Sequence, residues 1–344
     1  MSRIAVVLFN LGGPDGPKAV RPFLKNLFSD PAIIAAPGAA RFLMAEAISR
    51  MREKSAIANY AVMGGGSPLM AETAAQAQAL ETELAARLPS DEVKVFVAMR
   101  YWRPLTEETA ADVAAFEPDD VVLLPLYPQF STATTASSLT RWNAVYAGGG
   151  RRRTVCCYFD HPAFVDAHAT LIREVWEDAG APTEVRLLFS AHGLPERISN
   201  AGDPYRWQVE QTCAAVARRL GASWDWRVCY QSRVGPLKWI GPSTVEAIEQ
   251  AAADGKGVIV APIAFVSEHI ETLVELDRDY AEIAERVGAH PYLRAPALGA
   301  HPKFIEGLAE VATAALGASD VRPGAGACRA DLGRCALRTF CEAA

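Results

Sequence analysis

The sequence predicts an α/β protein with two parallel, doubly wound sheets that face each other across a cleft. Short apolar runs rich in β-branched residues alternate with amphipathic helical segments, which is the pattern of buried parallel strands joined by helices. This order of strands and helices occurs twice, although no residue-level repeat is visible. At 344 residues the chain is also long for one hydrophobic core. We therefore expect domains at residues 1–152 and 153–320, followed by a tail at residues 321–344.

The charge and the apolar pattern exclude several classes of protein. A formal net charge of -6 argues against a nucleic-acid partner, because such proteins carry a basic surface. The apolar run from Ile4 to Phe9 is too short for a signal peptide and is followed at once by glycines and a proline. No uninterrupted apolar segment approaches the ~20 residues that cross a bilayer. We expect a cytoplasmic protein, and peripheral contact with the inner membrane stays open.

The first half alternates three strands with three helices. Its first strand, residues 3–10, ends in a tight loop at residues 11–16, whose glycines let a ligand approach the backbone. Neither phosphate-binding glycine pattern occurs there, so a nucleotide site loses its usual support. The isoleucines of residues 30–37 form either a surface lip or ordinary packing under a loop. The other predicted elements are helices at 18–29, 70–88 and 106–116 and strands at 93–99 and 121–126.

The second half repeats this alternation. We place the crossover between the halves near the arginine triplet at residues 151–153. Because open parallel sheets bind ligands at the carboxyl ends of their strands, a site is expected at those ends. The predicted strands of this half are residues 154–159, 185–190, 226–231 and 258–266, with helices near 164–179, 207–220 and 244–253.

The last of these strands leads directly into a stripe of carboxylates. The run at residues 258–266 is apolar and ends at Ser267, which we expect to cap a helix. His269 and Glu271 then fall in the first turn. Most acidic helix faces are simply solvated, but this one begins where an apolar strand ends. One face carries Leu273, Leu276, Tyr280 and Ile283, and the other carries Glu268, Glu271, Glu275 and Asp279.

A second strand end presents His192. The segment LLFSAHGLP, residues 187–195, surrounds this histidine with small residues that leave an imidazole open to a cleft. A lone histidine in such a place is more often structural than catalytic. A neutral imidazole can, however, accept a proton near pH 7 or bind a transition metal. Carboxylates and histidines together suit a divalent transition ion or a proton path. No GxSxG elbow is present, which disfavours a serine hydrolase.

Two polar segments of the first half complete the candidate site. Arg100, Tyr101 and Trp102 follow a predicted strand, and an arginine beside aromatic rings can bind an anionic planar ligand. The alternative is a salt bridge next to core aromatics. Residues 131–138 are rich in hydroxyl groups, which can cap a helix and donate hydrogen bonds to an anion at its start.

Six segments of the chain are informative together: FNLGGPD (9–15), LPLYPQFSTATTASS (124–138), FSAHGLPERI (189–198), GDPY (202–205), YQSRVGPLKWIGPST (230–244) and IAFVSEHIETLVELD (263–277). In this order, along almost the whole chain, they resemble the ferrochelatases, which insert ferrous iron into a porphyrin. The shared order is more specific than any one segment. The resemblance implies a chelatase-like fold of two Rossmann-like domains, each with a parallel four-stranded sheet flanked by helices, and an active site in the interdomain cleft.

The resemblance also implies roles for individual residues. His192 matches the family's active-site histidine, which takes pyrrole protons or touches the iron, and Glu271 matches the acid paired with it. The neighbouring polar path corresponds to Glu268, His269 and Glu275. The positions that match porphyrin-contacting or cleft residues are Leu11, Arg100, Tyr101 and Tyr127.

Three of the seven cysteines lie close together near the C-terminus. An odd number without an export signal disfavours a disulfide framework. Cys328, Cys335 and Cys341 are separated by six and five residues, which matches neither a zinc CxxC pair nor a ferredoxin run. By spacing alone they are a moderate metal-site candidate or three incidental thiols.

The resemblance extends to this tail, because several ferrochelatases carry a [2Fe-2S] cluster on a C-terminal extension with three cysteines. Such a cluster needs four ligands. In animal members the fourth cysteine lies in the hydroxyl-rich loop, where this chain has Thr132. We predict Cys156 or Cys157 as the fourth ligand and place Cys229 in the core.

The sequence therefore predicts a ferrochelatase that inserts Fe2+ into protoporphyrin IX to give protohaem, with a [2Fe-2S] cluster as cofactor. Three alternatives stay open: a coproporphyrin ferrochelatase, a haem or iron carrier that uses the same cleft without catalysis, and an iron-sulfur redox protein with a vestigial cleft. Whether the protein is a monomer or a homodimer is not given by the sequence.

Overall fold

A computed structural model describes residues 1–233, 237–318, 321–322, 329 and 331–336. Its first sheet has four main strands, all parallel, in the order β2-β1-β3-β4. A fifth strand of two residues, β9 (Val321–Arg322), pairs with β4 at the edge. The main strands are β1 (Arg3–Asn10), β2 (Glu92–Met99), β3 (Asp120–Pro125) and β4 (Arg151–Val155).

The second sheet is also parallel and has four strands in the order β6-β5-β7-β8. Two parallel sheets with helices between successive strands confirm the predicted fold class. The strands are β5 (Val185–His192), β6 (Trp226–Gln231), β7 (Gly257–Pro262) and β8 (Tyr292–Arg294).

Helices cover both faces of each sheet. None of those described is both long enough and apolar enough to cross a bilayer. In the first half they are α1 (Pro17–Phe28), α2 (Gly38–Val62), α3 (Leu69–Arg87), α4 (Thr106–Ala115) and α5 (Thr135–Val145). After β4 they are α6 (Pro162–Asp178), α7 (Glu196–Asn200), α8 (Tyr205–Leu220), α9 (Thr244–Ala253), a π-helix (Glu271–Asp279), α10 (Tyr280–Val287) and α11 (Pro302–Leu316).

The core consists of apolar layers on either side of each sheet. Alternate residues of β1 point to opposite faces, so Val6 and Leu8 pack with α3 and α11 while Val7 and Phe9 pack with α4 and α5. In the second sheet, β5 and β7 pack against α6 and α8 on one face and against α9 and α10 on the other. Near-continuous apolar strands are what a sheet covered on both faces requires.

Two elements of the predicted second domain belong to the first sheet instead. The strand predicted at residues 154–159 begins earlier, as β4, and pairs with β3 in the first sheet rather than with the second. The last helix, α11, returns to pack on the first sheet through Phe304 and Leu308. The predicted boundary at residue 152 thus falls inside β4. The domain limits at residues 152 and 320 stay predictions.

The segment after β7 also differs from its prediction. The strand ends at Pro262 rather than at residue 266, and Ser267 does not cap a helix. Instead, residues 263–270 form a loop that leads into the π-helix, whose last turn closes with a hydrogen bond from the amide of Tyr280 to the carbonyl of Glu275. That bond spans five residues, which defines a π-helix. The carboxylate stripe therefore lies on a helix of unusual pitch.

Candidate active site

The candidate site lies at the switch points of both sheets. In the first sheet, β2 and β3 flank β1 on opposite sides, so the chain departs in opposite directions after β1 and β3. Leu11 follows β1 and Tyr127 lies just after β3. In the second sheet the same relationship holds between β5, which ends at His192, and β7. Ligands of open parallel sheets bind at such points, outside the carboxyl ends of the strands.

His192 and Glu271 form the centre of the site. The Nδ1 atom of His192 lies 2.6 Å from the carbonyl oxygen of Gly193, which therefore accepts the Nδ1 proton. The Nε2 atom then faces Glu271, 3.5 Å from Oε1. The His192 side chain is 40% exposed, so part of the imidazole stays open to a ligand. Strand β5 and the π-helix thus bring the two predicted catalytic residues together.

Glu271 lies between two imidazoles. Its second oxygen, Oε2, is 3.6 Å from Nε2 of His269, and Nδ1 of that histidine is held 3.1 Å from the carbonyl of Ser267. The ring of Phe265 is near both histidines: its centroid lies 4.7 Å from that of the His269 ring and 6.5 Å from that of the His192 ring. The Glu271 carboxylate can therefore exchange a proton with either imidazole.

The charges of this pair shift both pKa values. Burial disfavours the charged imidazole, but the negative charge of Glu271 outweighs burial and raises the pKa of His192 to about 9. Burial alone would raise the pKa of Glu271, yet His192 and His269 hold it well below its usual range. At neutral pH the resting pair is therefore an imidazolium and a carboxylate.

Glu275 is a second acid near the pair, and its pKa shifts in the opposite direction to that of Glu271. Burial and the charge of Glu271 raise the pKa of Glu275 above its usual value. Its Oε2 atom accepts hydrogen bonds from the Ser232 hydroxyl at 2.6 Å and from the Gln231 amide at 3.3 Å. Two neighbouring carboxyl groups with pKa values pushed apart are a common basis for acid and base roles in one site.

Glu268 is placed differently from the other path residues. Its Oε1 atom accepts hydrogen bonds from Arg294 at 2.5 Å and from the amide of Ala297 at 2.9 Å. Burial would raise the pKa of Glu268, but Arg294 outweighs that effect and lowers it. The charge of this carboxylate is compensated by a permanently charged arginine, whereas Glu271 is paired with His192, whose imidazole can lose its proton.

The first half of the chain meets the π-helix at its start. Ile270, directly before Glu271, packs against an apolar cluster contributed by α1, α2 and the segment after β2. Burial and the nearby charge of Glu271 raise the pKa of Tyr60, a member of that cluster. Leu11 packs against the same cluster and against a second one that contains Tyr127. The start of the π-helix therefore meets an apolar cluster that the segments after β1 and β2 also join.

Arg100 and Tyr101 are fixed by a buried aspartate that the sequence did not single out. Arg100 forms an ion pair with Asp30 at 2.6 Å, and the Tyr101 hydroxyl donates to Asp30 at 2.8 Å. Ser137, in the hydroxyl-rich segment, donates to Asp30 and accepts from Arg100 at 2.8 Å. Tyr101 is completely buried, whereas Arg100 keeps 17% of its side chain exposed. The predicted alternative of a salt bridge next to core aromatics is present for Arg100, and a role in binding an anionic ligand stays a prediction.

The described part of the tail lies beside Cys156 and Cys157. Ala336 packs into one apolar cluster with both cysteines, Phe130 and Phe159, and the preceding residue, Cys335, is buried. The amide of Arg334 donates to the carbonyl of Gly202 at 3.1 Å. Within residues 1–336 as far as they are described, no group of three or more metal-ligating side chains is assembled. The other two predicted tail ligands, Cys328 and Cys341, lie outside the described residues.

Sequence reasoning missed three residues that hold the site together. Gln231 and Ser232 contact the π-helix, and Asp30 anchors Arg100. The only available signal was the YQSR segment, which carries Gln231 and Ser232 and belongs to the quoted resemblance. Asp30 is the first residue of the segment at residues 30–37, in which only the isoleucines suggested a role.

Comparison with known proteins identifies the class and then the family. The chain matches SirB of Bacillus subtilis, solved with Fe3+, with a TM-score of 0.52 at 11% identity, over 93% of this chain and 99% of that one. This similarity shows a chelatase-like fold. The chain is 61% identical to the ferrochelatase of Caulobacter vibrioides strain NA1000 / CB15N over 98% of each chain. It is 60% identical to that of Phenylobacterium zucineum, also over 98% of each.

The family model named Ferrochelatase matches residues 3–316. The chain therefore belongs to the ferrochelatase family, the enzymes that insert iron into a porphyrin in haem biosynthesis.

Proposed function

We propose that this chain inserts ferrous iron into protoporphyrin IX and that the His192–Glu271 pair moves the pyrrole protons. The observation that carries this proposal is the 3.5 Å approach of Nε2 of His192 to Oε1 of Glu271 at the switch point of the second sheet. Two pyrrole N–H protons leave the porphyrin as iron enters, so a base must face the ring. His192 is the partly open imidazole at that place.

The resting protonation state constrains how the pair works. With a pKa of about 9, Nε2 of His192 already holds a proton at neutral pH and must release it before it accepts another. A bound macrocycle that excludes water disfavours the imidazolium and promotes this release. Glu275 is the nearby acceptor, because its raised pKa lets it take a proton that the ionised Glu271 cannot hold. The pair and Glu275 thus form a route for protons away from the ring.

The predicted porphyrin contacts follow from the positions of four residues. Leu11 and Tyr127 lie just after β1 and β3 and belong to one apolar cluster, so we assign them to the macrocycle. Arg100 is partly exposed and would offer a cation to a substrate carboxylate. Tyr101 is buried, and its hydroxyl is engaged by Asp30, so we assign it to holding Arg100 in place.

The three residues of the predicted polar path differ in how well they suit a route for protons or cations. His269 and Glu275 flank Glu271 and share its charge, which suits a route for protons or for Fe2+. Glu268 is paired with Arg294, so a positively charged ion gains less from it. We place the main route along His269, Glu271 and Glu275.

Anaerobic turnover with ferrous iron tests this function. We expect faster insertion into protoporphyrin IX than into coproporphyrin, and loss of insertion in His192→Asn while porphyrin fluorescence still shows binding. His301→Asn is the matched control, because asparagine keeps the capping bond of that half-buried histidine at the start of α11. Faster turnover on coproporphyrin would support the rival substrate. Stoichiometric porphyrin binding without insertion would support a carrier.

We further propose that the tail contributes Cys328, Cys335 and Cys341 to a [2Fe-2S] cluster, with Cys156 or Cys157 as fourth ligand. Three cysteines within a short stretch of sequence fit this group, and the contact of Ala336 with Cys156 and Cys157, whose sulfurs are 3.4 Å apart, brings the adjacent Cys335 to the same region. Thr132 cannot replace them, because its hydroxyl and amide bind Asp203. Such a cluster supplies a one-electron centre. The role of Cys156 or Cys157 would be to tie the tail to the end of β4.

Contact with a membrane surface is supported by α2. Only Ala45, Ser49 and Tyr60 of this helix are buried, while Leu43 and Met51 are 68% and 76% exposed. Beside them, Glu46 binds Arg21, Lys25 and Arg50, which leaves an excess of positive charge. An apolar strip flanked by cations suits an anionic lipid surface. We therefore propose a cytoplasmic protein that docks through α2 on the inner membrane.

A further inference from the structure

A line of buried side-chain hydrogen bonds runs from α9 through the central strand β5 and the edge strand β6 to the π-helix. The Thr244 hydroxyl lies 2.8 Å from that of Ser190, which lies 2.8 Å from Oε1 of Gln231. The Gln231 amide nitrogen donates to the Glu271 carbonyl at 2.7 Å and to Glu275 Oε2 at 3.3 Å. Thr244, Ser190 and Gln231 are each at most 1% exposed. Water therefore does not compete for these bonds.

The donors and acceptors in this line can point in only one direction. The Gln231 nitrogen faces two acceptors on the π-helix, so its oxygen faces Ser190, whose single hydroxyl proton is donated to it. Ser190 then has no proton left, and Thr244 must donate to it. If the amide rotated by half a turn, its oxygen would face a carbonyl and a carboxylate. Thr244 and Ser190 therefore select the orientation of Gln231.

Gln231 also contacts the other half of the catalytic pair through its backbone. Its carbonyl accepts from the amide of Gly193 at 2.8 Å, and the carbonyl of Gly193 in turn accepts the Nδ1 proton of His192. A single residue thus binds the loop that orients His192 and the helix that carries Glu271. Reactive groups lose much of their effect when they shift by about 1 Å.

We propose that Gln231 is a positioning residue that sets the His192–Glu271 distance, and that the Thr244 and Ser190 hydroxyls lock its amide in the working orientation. This inference rests on the proposed roles of His192 and Glu271. The residues act through the pair and do not themselves touch the substrate. Gln231 contributes one further effect, since its hydrogen bond to Glu275 favours the ionised carboxylate and opposes the rise in the pKa of that group.

The matched substitutions Thr244→Val and Thr244→Ser test the inference. Valine keeps the shape of threonine without the proton, whereas serine keeps the donor. We expect Thr244→Val to lower kcat about tenfold with an unchanged KM, Thr244→Ser to recover kcat to within about threefold, and Gln231→Leu to lower it about a hundredfold. The NMR titration midpoint of His192 should fall in Thr244→Val and Gln231→Leu, because Glu271 moves away. Thr313→Val, which removes a hydroxyl on α11 far from this line, is the control.

Two results would overturn the positioning role. One is a wild-type kcat and His192 midpoint in Thr244→Val. The other is an equal loss in Thr244→Ser and Thr244→Val, which would show that packing and not the proton matters. If Gln231→Leu does not fold, the comparison of Thr244→Val with Thr244→Ser still tests the positioning role. Failure of the proposed function itself looks different, because His192→Asn would then turn over at the wild-type rate.

Discussion

Nε2 of His192 lies 3.5 Å from Oε1 of Glu271, which joins the carboxyl end of β5 to the first residue of the π-helix. The Gly193 carbonyl takes the other imidazole proton, so the tautomer and the ring orientation are fixed by the backbone. The charge of Glu271 keeps the imidazole protonated at rest. A base that is protonated in the resting enzyme predicts a particular dependence of the reaction on pH.

The rate profile should show this dependence. The unprotonated form of His192 is the acceptor, so kcat/KM of the free enzyme should fall about tenfold per pH unit below about pH 9. Glu271→Gln removes the charge that raises the pKa of His192, so the acidic limb should move down by roughly two pH units. Anaerobic insertion rates between about pH 6 and 9 measure this shift. Glu285→Gln, an exposed acid on α10, should keep the wild-type profile. An unmoved limb in Glu271→Gln would disprove the electrostatic coupling.

Arg100 should matter for stability because it neutralises a buried charge. Asp30 is 4% exposed and has Arg100 as its ion-pair partner. Arg100→Met leaves that carboxylate buried without its cation, and we expect the free energy of unfolding to fall by about 3 kcal/mol. Arg103→Met, which breaks an exposed pair with Glu108, should cost less than about 1 kcal/mol. Denaturant titrations compare the two, and equal losses would argue against a structural role for Asp30.

The cluster ligands can be tested by spectroscopy without measuring turnover. We expect Cys335→Ser, and one of Cys156→Ser and Cys157→Ser, to abolish the visible absorption of the purified protein and the electron paramagnetic resonance signal of its reduced form. Cys213→Ala, which alters a fully buried core thiol in a different cluster, is the control. A retained spectrum in both Cys156→Ser and Cys157→Ser would place the fourth ligand elsewhere.

Membrane docking through α2 should be sensitive to the exposed apolar side chains. Replacing Leu43 and Met51 together with glutamate removes apolar area and adds repulsion, so binding to anionic phospholipid vesicles should fall at least about tenfold. Ala253→Glu adds the same kind of charge on a distant helix and should not change binding. If the double variant binds vesicles normally but shifts from dimer to monomer in sedimentation, α2 is instead an interface with a second copy of the chain.

Strand positions could be predicted because buried parallel strands are continuous apolar runs. β1, β3, β5 and β7 all have this composition, and each lies within a few residues of its predicted place. β4 was harder to assign to a sheet, because a short strand of three arginines and two β-branched residues carries no sign of its neighbour. Its pairing with β3 depends on tertiary packing alone.

Two of the helical elements that the sequence did not reveal have separate physical causes. α2 was missed because its apolar residues face outward, so it lacks the buried stripe that identifies a helix. The π-helix was expected as an α-helix, because residue spacing at Glu271 and Glu275 suits either form. Gln231 and Ser232 form hydrogen bonds to this helix from about 40 residues earlier in the chain, and local residue spacing carries no sign of such contacts.

The chemistry of the site was only partly accessible for a related reason. The pairing of His192 with Glu271 was implied by the resemblance and is present in the structure. The sequence did not imply the protonated resting state of His192, because that state depends on the distance between the end of β5 and the start of the π-helix. The engagement of Glu268 by Arg294 likewise arises from β8, which was not predicted at all.

An NMR titration of the His192 ring protons tests the central claim most directly. The chain has six histidines, and His192→Asn identifies the resonance that belongs to this one. The proposed mechanism predicts a midpoint of about pH 9 in the wild type and a clearly lower midpoint in Glu271→Gln. A wild-type midpoint at or below the ordinary histidine value of about 6.5 would contradict it, since His192 would then be neutral at rest and independent of Glu271.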